Sequence, residues 1–337
     1  MTRPTRRLVG VLLAGALAAA TSACGTTDAL VGLHPAPAES ADTVPLDRDG
    51  ATAIAARLLA GQKAAAATKG DKGHDARAQV LRGDALTFAD QVAARGAASD
   101  AGDELTREVD PQVLAQSQGK EWPRAILATT LDETSSTQYL HVMVSRDPAE
   151  PFKIEASVPM LGGAQLPSVG DEQTGAPFLD PNDSSGLVMS TREAFQAYAK
   201  ALATPAPSKK KAPKNVAVDD SFAAALKESA KEQVKALGKL GDYTQRHTLQ
   251  KKNTVAFRLA DGSVVGFGLL KRVDVFEPSA KAKELTVPAP YAKLVGTKTV
   301  TDSMTLTSLE PVVVLVPVEG DVSAIGATEL LVSGKGS

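Results

Sequence analysis

The side chains best suited to acid–base or nucleophilic chemistry are scattered along this sequence. Ser117 and Lys120 form a Ser-x-x-Lys pattern, but the chain contains neither the Ser-Asp-Asn nor the Lys-Thr-Gly motif that accompanies this pattern in penicillin-interacting enzymes. No two histidines have the i, i+4 spacing that places both imidazoles on one metal ion. The four histidines are His34, His74, His141 and His247. The spacing therefore predicts no catalytic residue, no metal site and no cofactor.

Acidic residues that stand close together in the sequence fall at expected turns and helix starts. Aspartate is favoured at such positions because its oxygens accept hydrogen bonds from free backbone N–H groups and complement the helix dipole. We therefore predict capping and turn roles for these carboxylates rather than a paired acid and base. The pairs are Asp47 and Asp49, Asp132 and Glu133, Asp171 and Glu172, Asp180 and Asp183, and Asp219 and Asp220.

The only cysteine, Cys24, stands at the end of a signal-like segment. Three arginines precede an uncharged apolar run over 8–20, which is too short to span a bilayer, and small residues follow at 21–23. This layout predicts a cleaved signal peptide over 1–23. The residues Thr21-Ser22-Ala23-Cys24 resemble the lipobox of bacterial lipoproteins, although Thr21 departs from the aliphatic residue usual there.

The resemblance implies that the sulfur of Cys24 carries a diacylglycerol, and two acyl chains anchor a protein durably. We therefore expect an exported protein on the extracytoplasmic face of the cell membrane, with the membrane as a partner through Cys24. Residues 24–45 are rich in small residues and proline and predict a lipidated flexible tether.

Composition limits the partners of the folded part. Of the 37 Lys and Arg residues, three lie in the first 23 positions, so 34 remain against 39 Asp and Glu. A chain with about five net negative charges does not provide the clustered positive surface that nucleic-acid binding needs. We therefore predict no nucleic acid among the partners.

The order of predicted elements indicates an α+β protein with two tandem domains, over 46–183 and 184–337. In each half, helical periodicity gives way to alternating strand patterns, which implies helices packed on a curved antiparallel sheet. Helical patterns cover 49–69 and 76–95, and Gly83 weakens the second. Ser190 with Glu193 fits a capping box, and Asp261-Gly262 predicts a hairpin turn. Pro311 and Pro317 place the Val312 run at an edge or between bends.

Several short stretches resemble a family of actinobacterial lipoproteins of unknown function. In that family, each half looks like a cystatin-like or nuclear-transport-factor-2-like α+β roll. The resemblance implies this fold and the envelope location, and it brings no activity. The stretches are Pro123-Arg124, Leu161-Gly162-Gly163, Leu166-Pro167, Val287-Pro288, Tyr291-Ala292, Leu294-Val295-Gly296-Thr297 and Leu330-Leu331-Val332-Ser333.

Four lysines stand together in a proline-bearing segment between two predicted helices of the second half. We predict a contact with an anionic surface, either lipid headgroups or wall polymer. The alternative is a linker that its charge keeps solvated. The lysines are Lys209, Lys210, Lys211 and Lys214.

These observations leave three functions open. The first is a non-catalytic module of the cell envelope that binds another envelope protein. The second is a carrier or sensor of a small apolar ligand, which requires a cavity within a cone-shaped sheet. The third is an isomerase-like enzyme, which requires a donor and an acid or base facing one cavity. Its candidate donors are Tyr139, Tyr198, Tyr243 and Tyr291.

Overall fold

The computed structural model describes residues 43–68, 70–95, 110–171 and 173–337, and for Lys251 it describes the backbone alone. The predicted signal peptide over 1–23, Cys24 and His34 lie outside these residues, as does nearly all of the predicted tether over 24–45. Within these ranges, no helix is long and apolar enough to cross a bilayer.

The first half consists of three helices and a four-stranded antiparallel sheet. The helices are α1 (Arg48–Ala66), α2 (Gly70–Val80) and α3 (Gly83–Arg95), and the strands are β1 (Gln112–Gln116), β2 (Arg124–Asp132), β3 (Thr137–Ser145) and β4 (Lys153–Pro159). The strands pair in chain order, β1-β2-β3-β4. The helix predicted over 76–95 is two helices, because the chain turns at Gly83, where φ is +57°.

The second half is built on a larger antiparallel sheet with the order β11-β10-β7-β6-β5, in which β12 also pairs with β10. Its long strands are β6 (Gly241–Arg258), β7 (Val264–Pro278) and β10 (Met304–Val316). Its short strands are β5 (Phe178–Leu179), β11 (Ser323–Ala327) and β12 (Leu330–Gly336). The helices are α4 (Thr191–Ala201), α5 (Ser221–Leu237) and α6 (Ala289–Val295), and β8 (Leu285–Thr286) pairs with β9 (Thr299–Val300).

The elements form four layers because successive side chains of each strand point to opposite faces of the sheet, and both faces of both sheets carry apolar residues. Helices α1 and α3 pack on one face of the first sheet through residues such as Leu58, Ile126 and Ile154. Helices α4 and α5 pack on the outer face of the second sheet. The two remaining faces meet in a shared core that combines Leu127, Leu140 and Val142 with Phe257, Phe267, Val313 and Ile325.

The α+β class predicted from the sequence is confirmed, and each half does cover its own sheet with its own helices. The arrangement of the halves differs from two domains with separate cores. Residues on both sides of the expected boundary between 183 and 184 share one core, and Ala41–Ser337 forms one compact unit. The physical reason is that neither sheet has a polar second face, so each sheet buries that face against the other.

Candidate functional site

A closed ring of polar side chains lies on the outer face of the second sheet, beneath the helices. Alternate residues of β6 and β7 point to this face, so Tyr243, Gln245 and His247 stand opposite Phe276, Asp274 and Arg272. Strand β10 adds Ser308 opposite Arg272 and Glu310 opposite Leu270. Strand pairing alone therefore brings together residues up to 67 positions apart.

Arg272 joins the acidic members of this ring. Its Nε lies 3.0 Å from Asp274 Oδ2, and its Nη1 lies 2.5 Å from Glu329 Oε2. The same Nη1 is 3.2 Å from Glu310 Oε1, an ion-pair contact that falls outside hydrogen-bond geometry. Burial acts to lower the pKa of Arg272, but the three carboxylates outweigh it and raise that pKa. Arg272 is therefore a permanent cation shared by three acids.

The other side of the ring is a chain of hydrogen bonds through His247. His247 Nδ1 lies 2.8 Å from Glu310 Oε2, and its Nε2 lies 2.8 Å from Gln245 Nε2. The Gln245 amide nitrogen also donates to the Leu202 carbonyl at 3.2 Å, which fixes the orientation of the amide. Because that nitrogen is a donor, His247 Nε2 accepts and Nδ1–H donates to Glu310. His247 is thus held as the neutral Nδ1–H tautomer.

Tyr243 completes the ring at the edge of a cavity. Its hydroxyl lies 2.7 Å from Asp274 Oδ1 and 2.9 Å from Gln245 Oε1, so one proton faces two acceptors. Burial, and next the Asp274 carboxylate, raise the pKa of Tyr243 above its ordinary value. The phenol is therefore a neutral donor whose single proton is shared between these two acceptors.

The cavity beside this ring, termed here the large cavity, has a volume of about 880 Å³. Its apolar wall combines Phe276, Met304 and Leu306 of the sheet with Leu237 of α5 and Val287 near α6. Its polar floor is formed by Tyr243, Gln245, Arg272, Asp274 and Ser308. Leu240 at the rim is 55% exposed, so the cavity reaches solvent.

A second cavity, the small cavity, lies where α1 and α3 cover the first sheet and approach β6, β7 and β10. It has a volume of about 70 Å³, and none of its lining residues is exposed. Its polar lining includes Asp84, His141 and Glu155. Asn253 donates to Asp84 at 2.8 Å, whereas Asp84 Oδ2 and Gln62 Oε1 are buried with no hydrogen-bond partner among the described residues.

Burial shifts the acid–base behaviour of the small cavity. It raises the pKa of Asp84 to about 6, against the lowering effect of the Asn253 hydrogen bond and with a further rise from Glu155. It lowers the pKa of His141 to about 4. It also raises the pKa of Glu155, although Arg146 and Arg82 oppose that shift.

The two cavities differ in the size of the molecule that each can hold. A water molecule occupies about 30 Å³ of liquid, so the small cavity holds a few waters, which would satisfy the two orphaned oxygens. Cavities that bind drug-sized ligands measure roughly 300–1,000 Å³ and combine apolar walls with a few polar groups. The large cavity meets both criteria and is the candidate ligand site.

The structure separates the four tyrosines that the sequence offered as donors. Tyr139 lines the small cavity, and Tyr243 and Tyr291 line the large cavity. Tyr198 is buried and donates to Asp220 Oδ2 at 3.0 Å, so it packs α4 against the start of α5. Tyr243 combines a position on the large cavity with an acidic partner, Asp274.

The described histidines and the residues of the Ser-x-x-Lys pattern do not meet at one site. His74 pairs with Asp90 on the surface, and His141 is held between Thr130 and Ser157. Ser117 is buried and its oxygen accepts from the Ala125 N–H at 2.9 Å, which is a structural role. Within the described ranges, no three His, Cys, Asp or Glu side chains are placed to hold a metal ion.

Most of the acidic pairs have the structural roles predicted for them. Asp47 and Asp220 cap α1 and α5. Side chains that accept backbone N–H groups in turns are those of Asp132, Asp171, Asp180 and Asp183. Lys209, Lys210, Lys211 and Lys214 are exposed, away from both cavities.

Sequence inspection missed the ring residues Arg272, Asp274 and Glu310 and the small-cavity acid Asp84. Each is an ordinary charged residue without a recognisable motif around it. The strand pattern carried one usable signal. Among the residues of β7 that face the helices, Leu270 and Phe276 are apolar, but Arg272 and Asp274 between them are charged. Such a break marks either a strand end or a buried polar cluster.

These features define a class: an α+β protein whose two sheets pack face to face and whose larger sheet carries a ligand-sized cavity with an ionic floor. The chain belongs to the family described as Domain of unknown function (DUF8094), whose model matches residues 110–336. The match begins just before β1 and contains both sheets. Searches of curated proteins and of solved structures found no match.

Proposed function

We propose that this protein is a lipid-anchored lipoprotein of the extracytoplasmic membrane face that binds a small amphipathic molecule in the large cavity. The observation that carries the proposal is a solvent-reachable cavity of about 880 Å³ with an apolar wall and a polar floor. The ligand's apolar part would lie against Phe276, Met304 and Leu306, and its polar end would face Tyr243 and Asp274.

The cavity reverses the order of functions that the sequence favoured. A protein-binding envelope module was the first expectation and a ligand carrier the second. The large apolar residues that are exposed in the described chain lie on different elements and give no specific support for a protein partner. They are Leu131 in β2, Val234 in α5, Leu240 after α5 and Val318 after β10. The cavity gives specific support to ligand binding.

An isomerase-like enzyme finds less support. Such an enzyme needs a free acid or base in a substrate-sized cavity. On the floor of the large cavity, Asp274 accepts from Arg272 and Tyr243, and Arg272 is shared among carboxylates. The other acids of the lining, Glu284 and Glu329, are exposed to solvent instead of lying on that floor. The acid with a pKa of about 6, Asp84, lines the cavity that is too small for a substrate.

Binding is tested with a neutral apolar fluorophore, N-phenyl-1-naphthylamine, on the mature chain carrying Cys24→Ser. We expect saturable binding of one probe per chain. Leu306→Trp places a larger ring in the cavity wall and should weaken that binding at least about tenfold, since about 1.4 kcal/mol corresponds to tenfold in affinity. Val318→Trp, at an exposed position after β10, is the matched control and should bind as the parent does.

The proposal fails if the parent chain shows no saturable binding or if Leu306→Trp binds as strongly as Val318→Trp. Thermal unfolding of each variant verifies that the comparison is made on folded protein. Native mass spectrometry of chain extracted from its own membranes then identifies any molecule that leaves with the parent and is missing from Leu306→Trp.

Anchoring is tested separately. Mass spectrometry of the mature N-terminal peptide should show a diacylglycerol-modified Cys24 and no residues 1–23, and Cys24→Ser should move the protein from the membrane to the soluble extracytoplasmic fraction. An unmodified Cys24 in membrane-bound protein would contradict the anchor without affecting the ligand site.

A further inference from the structure

The segment that carries the four lysines is an ordered loop fixed at both ends, here called the lysine loop (205–215). At its start, Thr204 exchanges two backbone hydrogen bonds with Gln245 of β6, at 3.0 and 2.7 Å. At its end, Asn215 accepts from the Val322 N–H at 2.9 Å, and Val322 accepts from Ala217 at 2.8 Å. The loop therefore crosses the helix-covered side of the second sheet between two fixed points.

The lysines within this loop lack counter-charges. Lys209, Lys210, Lys211 and Lys214 are all exposed, and no carboxylate in the described part of the chain forms an ion pair with any of them. Elsewhere on the same face, Lys231 of α5 does pair with Glu228 at 3.1 Å. Inside the loop, Ser208 accepts from the backbone of Lys211 and Ala212, which gathers three lysines around one turn.

This local charge stands out against an acidic chain. The full sequence carries a formal net charge of −2, so an anionic surface repels the molecule as a whole and can attract it only at a basic patch. Four unpaired lysines on one turn and its flank form such a patch.

We infer that the lysine loop is a second, electrostatic contact with the anionic headgroups of the membrane, and that it sets the orientation of the folded unit on the bilayer. The choice of lipid among anions rests on the proposed anchor at Cys24, because that anchor holds the folded unit beside the membrane. Residues 25–42 separate Cys24 from Thr43, a reach of at most about 65 Å at roughly 3.5 Å per residue. An anchored chain thus keeps the loop in the membrane's vicinity, where weak contacts gain from high effective concentration.

The test uses the mature chain with Cys24→Ser, so that the acyl anchor does not contribute, and measures co-sedimentation with vesicles. Vesicles of phosphatidylcholine with about one third phosphatidylglycerol should bind the chain at about 0.1 M salt, and binding should fall sharply at about 0.5 M. Pure phosphatidylcholine vesicles should not bind it. This measurement is independent of the large cavity and of the state of Cys24.

Changing Lys209, Lys210, Lys211 and Lys214 together to glutamine should weaken partitioning by up to several hundred-fold, since each lysine near an anionic bilayer contributes roughly fivefold. The matched control changes four exposed lysines outside the loop, Lys235 and Lys239 at the end of α5 and Lys281 and Lys283 after β7, to glutamine. It removes the same net charge and should lose less than about fivefold.

Three results would overturn the inference. The loop variant and the control variant could lose binding equally, which would mean that net charge alone governs attraction. The loop variant could bind anionic vesicles as the parent does. The parent could fail to bind the vesicles but co-sediment with insoluble cell wall that carries teichoic acid, which would assign the loop to wall polymer instead of lipid.

Discussion

The two cavities of this protein differ in how fully their charged side chains are paired. On the polar floor of the large cavity, both charged side chains are paired: Arg272 contacts three carboxylates, and Asp274 accepts from Arg272 and Tyr243. In the small cavity, Asp84 keeps an unpartnered oxygen and its pKa rises to about 6. The floor of the ligand-sized cavity is therefore a paired ionic cluster, whereas the cavity with perturbed acids holds only water-sized space.

This contrast shows that a shifted pKa does not by itself mark a functional site. Burial is the first cause of the shifts at Asp84, His141 and Glu155, and burial is what a four-layer packing produces wherever a polar residue lies under a helix. At Arg272 of the large-cavity floor, the neighbouring carboxylates outweigh the effect of burial. Three substitutions test this contrast, taken from the largest expected effect to the smallest.

The strongest test removes the cation of the large-cavity floor. Arg272→Met keeps the apolar stem but leaves Asp274 and the fully buried Glu310 without their cation, which should lower the free energy of unfolding by about 3–5 kcal/mol. Urea unfolding at pH 7 measures this loss. Arg57→Met, at an exposed position of α1, is the control and should change stability by less than about 0.5 kcal/mol. A loss below about 1 kcal/mol for Arg272→Met would show that the ring is not a coupled ionic cluster.

The second test concerns the buried neutral histidine of the small cavity. In the unfolded chain, His141 becomes protonated as the pH falls below its ordinary pKa of 6.5. In the folded chain, burial lowers that pKa to about 4. Stability should therefore fall as pH drops from 6.5 to 4, by about 3 kcal/mol from this residue. Urea unfolding across this range should show that His141→Gln loses this part of the slope, whereas the surface variant His74→Gln retains it. Equal slopes in both variants would mean that His141 is not held neutral.

The smallest effect has the opposite sign. The folded state raises the pKa of Asp84 from 3.8 to about 6, so folding favours the protonated acid over the ionised acid. The stability that this preference contributes is fully present below pH 3.8 and is lost as the pH rises through 6. Asp84→Asn should then raise the free energy of unfolding at pH 7 by about 2 kcal/mol, after allowance for partial exposure, and change little at pH 4. Denaturant unfolding at the two pH values measures the difference. Asp71→Asn, on the exposed first turn of α2, should change stability by less than about 0.5 kcal/mol at both. Destabilisation by Asp84→Asn at pH 7 would show that the ionised acid is needed.

Local signals in the sequence predicted several elements well. The capping box of Ser190 and Glu193 is present, with Glu193 accepting from the Ser190 N–H at 2.9 Å. The turn at Asp261-Gly262 joins β6 to β7, and Gly262 has a φ of +84°. Both succeed because a cap or a tight turn depends on side chains within three positions of each other.

Strand lengths were harder to predict. Strand β6 begins at Gly241, although its sequence signal begins near Thr254, because its first half alternates exposed polar residues with the buried ring residues Gln245 and His247. The prediction that Pro311 marks an edge or bend was wrong. Pro311 lies inside β10 opposite Leu269, at the point where the pairing with β12 ends and that with β11 begins, so its missing N–H leaves no bond unmade.

By itself, the sequence determined the α+β class, the helix caps and the hairpin, because each depends on residues near one another in the chain. Export and anchoring at Cys24 stay predictions from the sequence. Only the tertiary structure decided that the two sheets share a core and that Tyr243, Arg272, Asp274 and Glu310 meet beside a cavity. Strand register fixes those meetings, and register depends on pairings across tens of residues that no local pattern specifies.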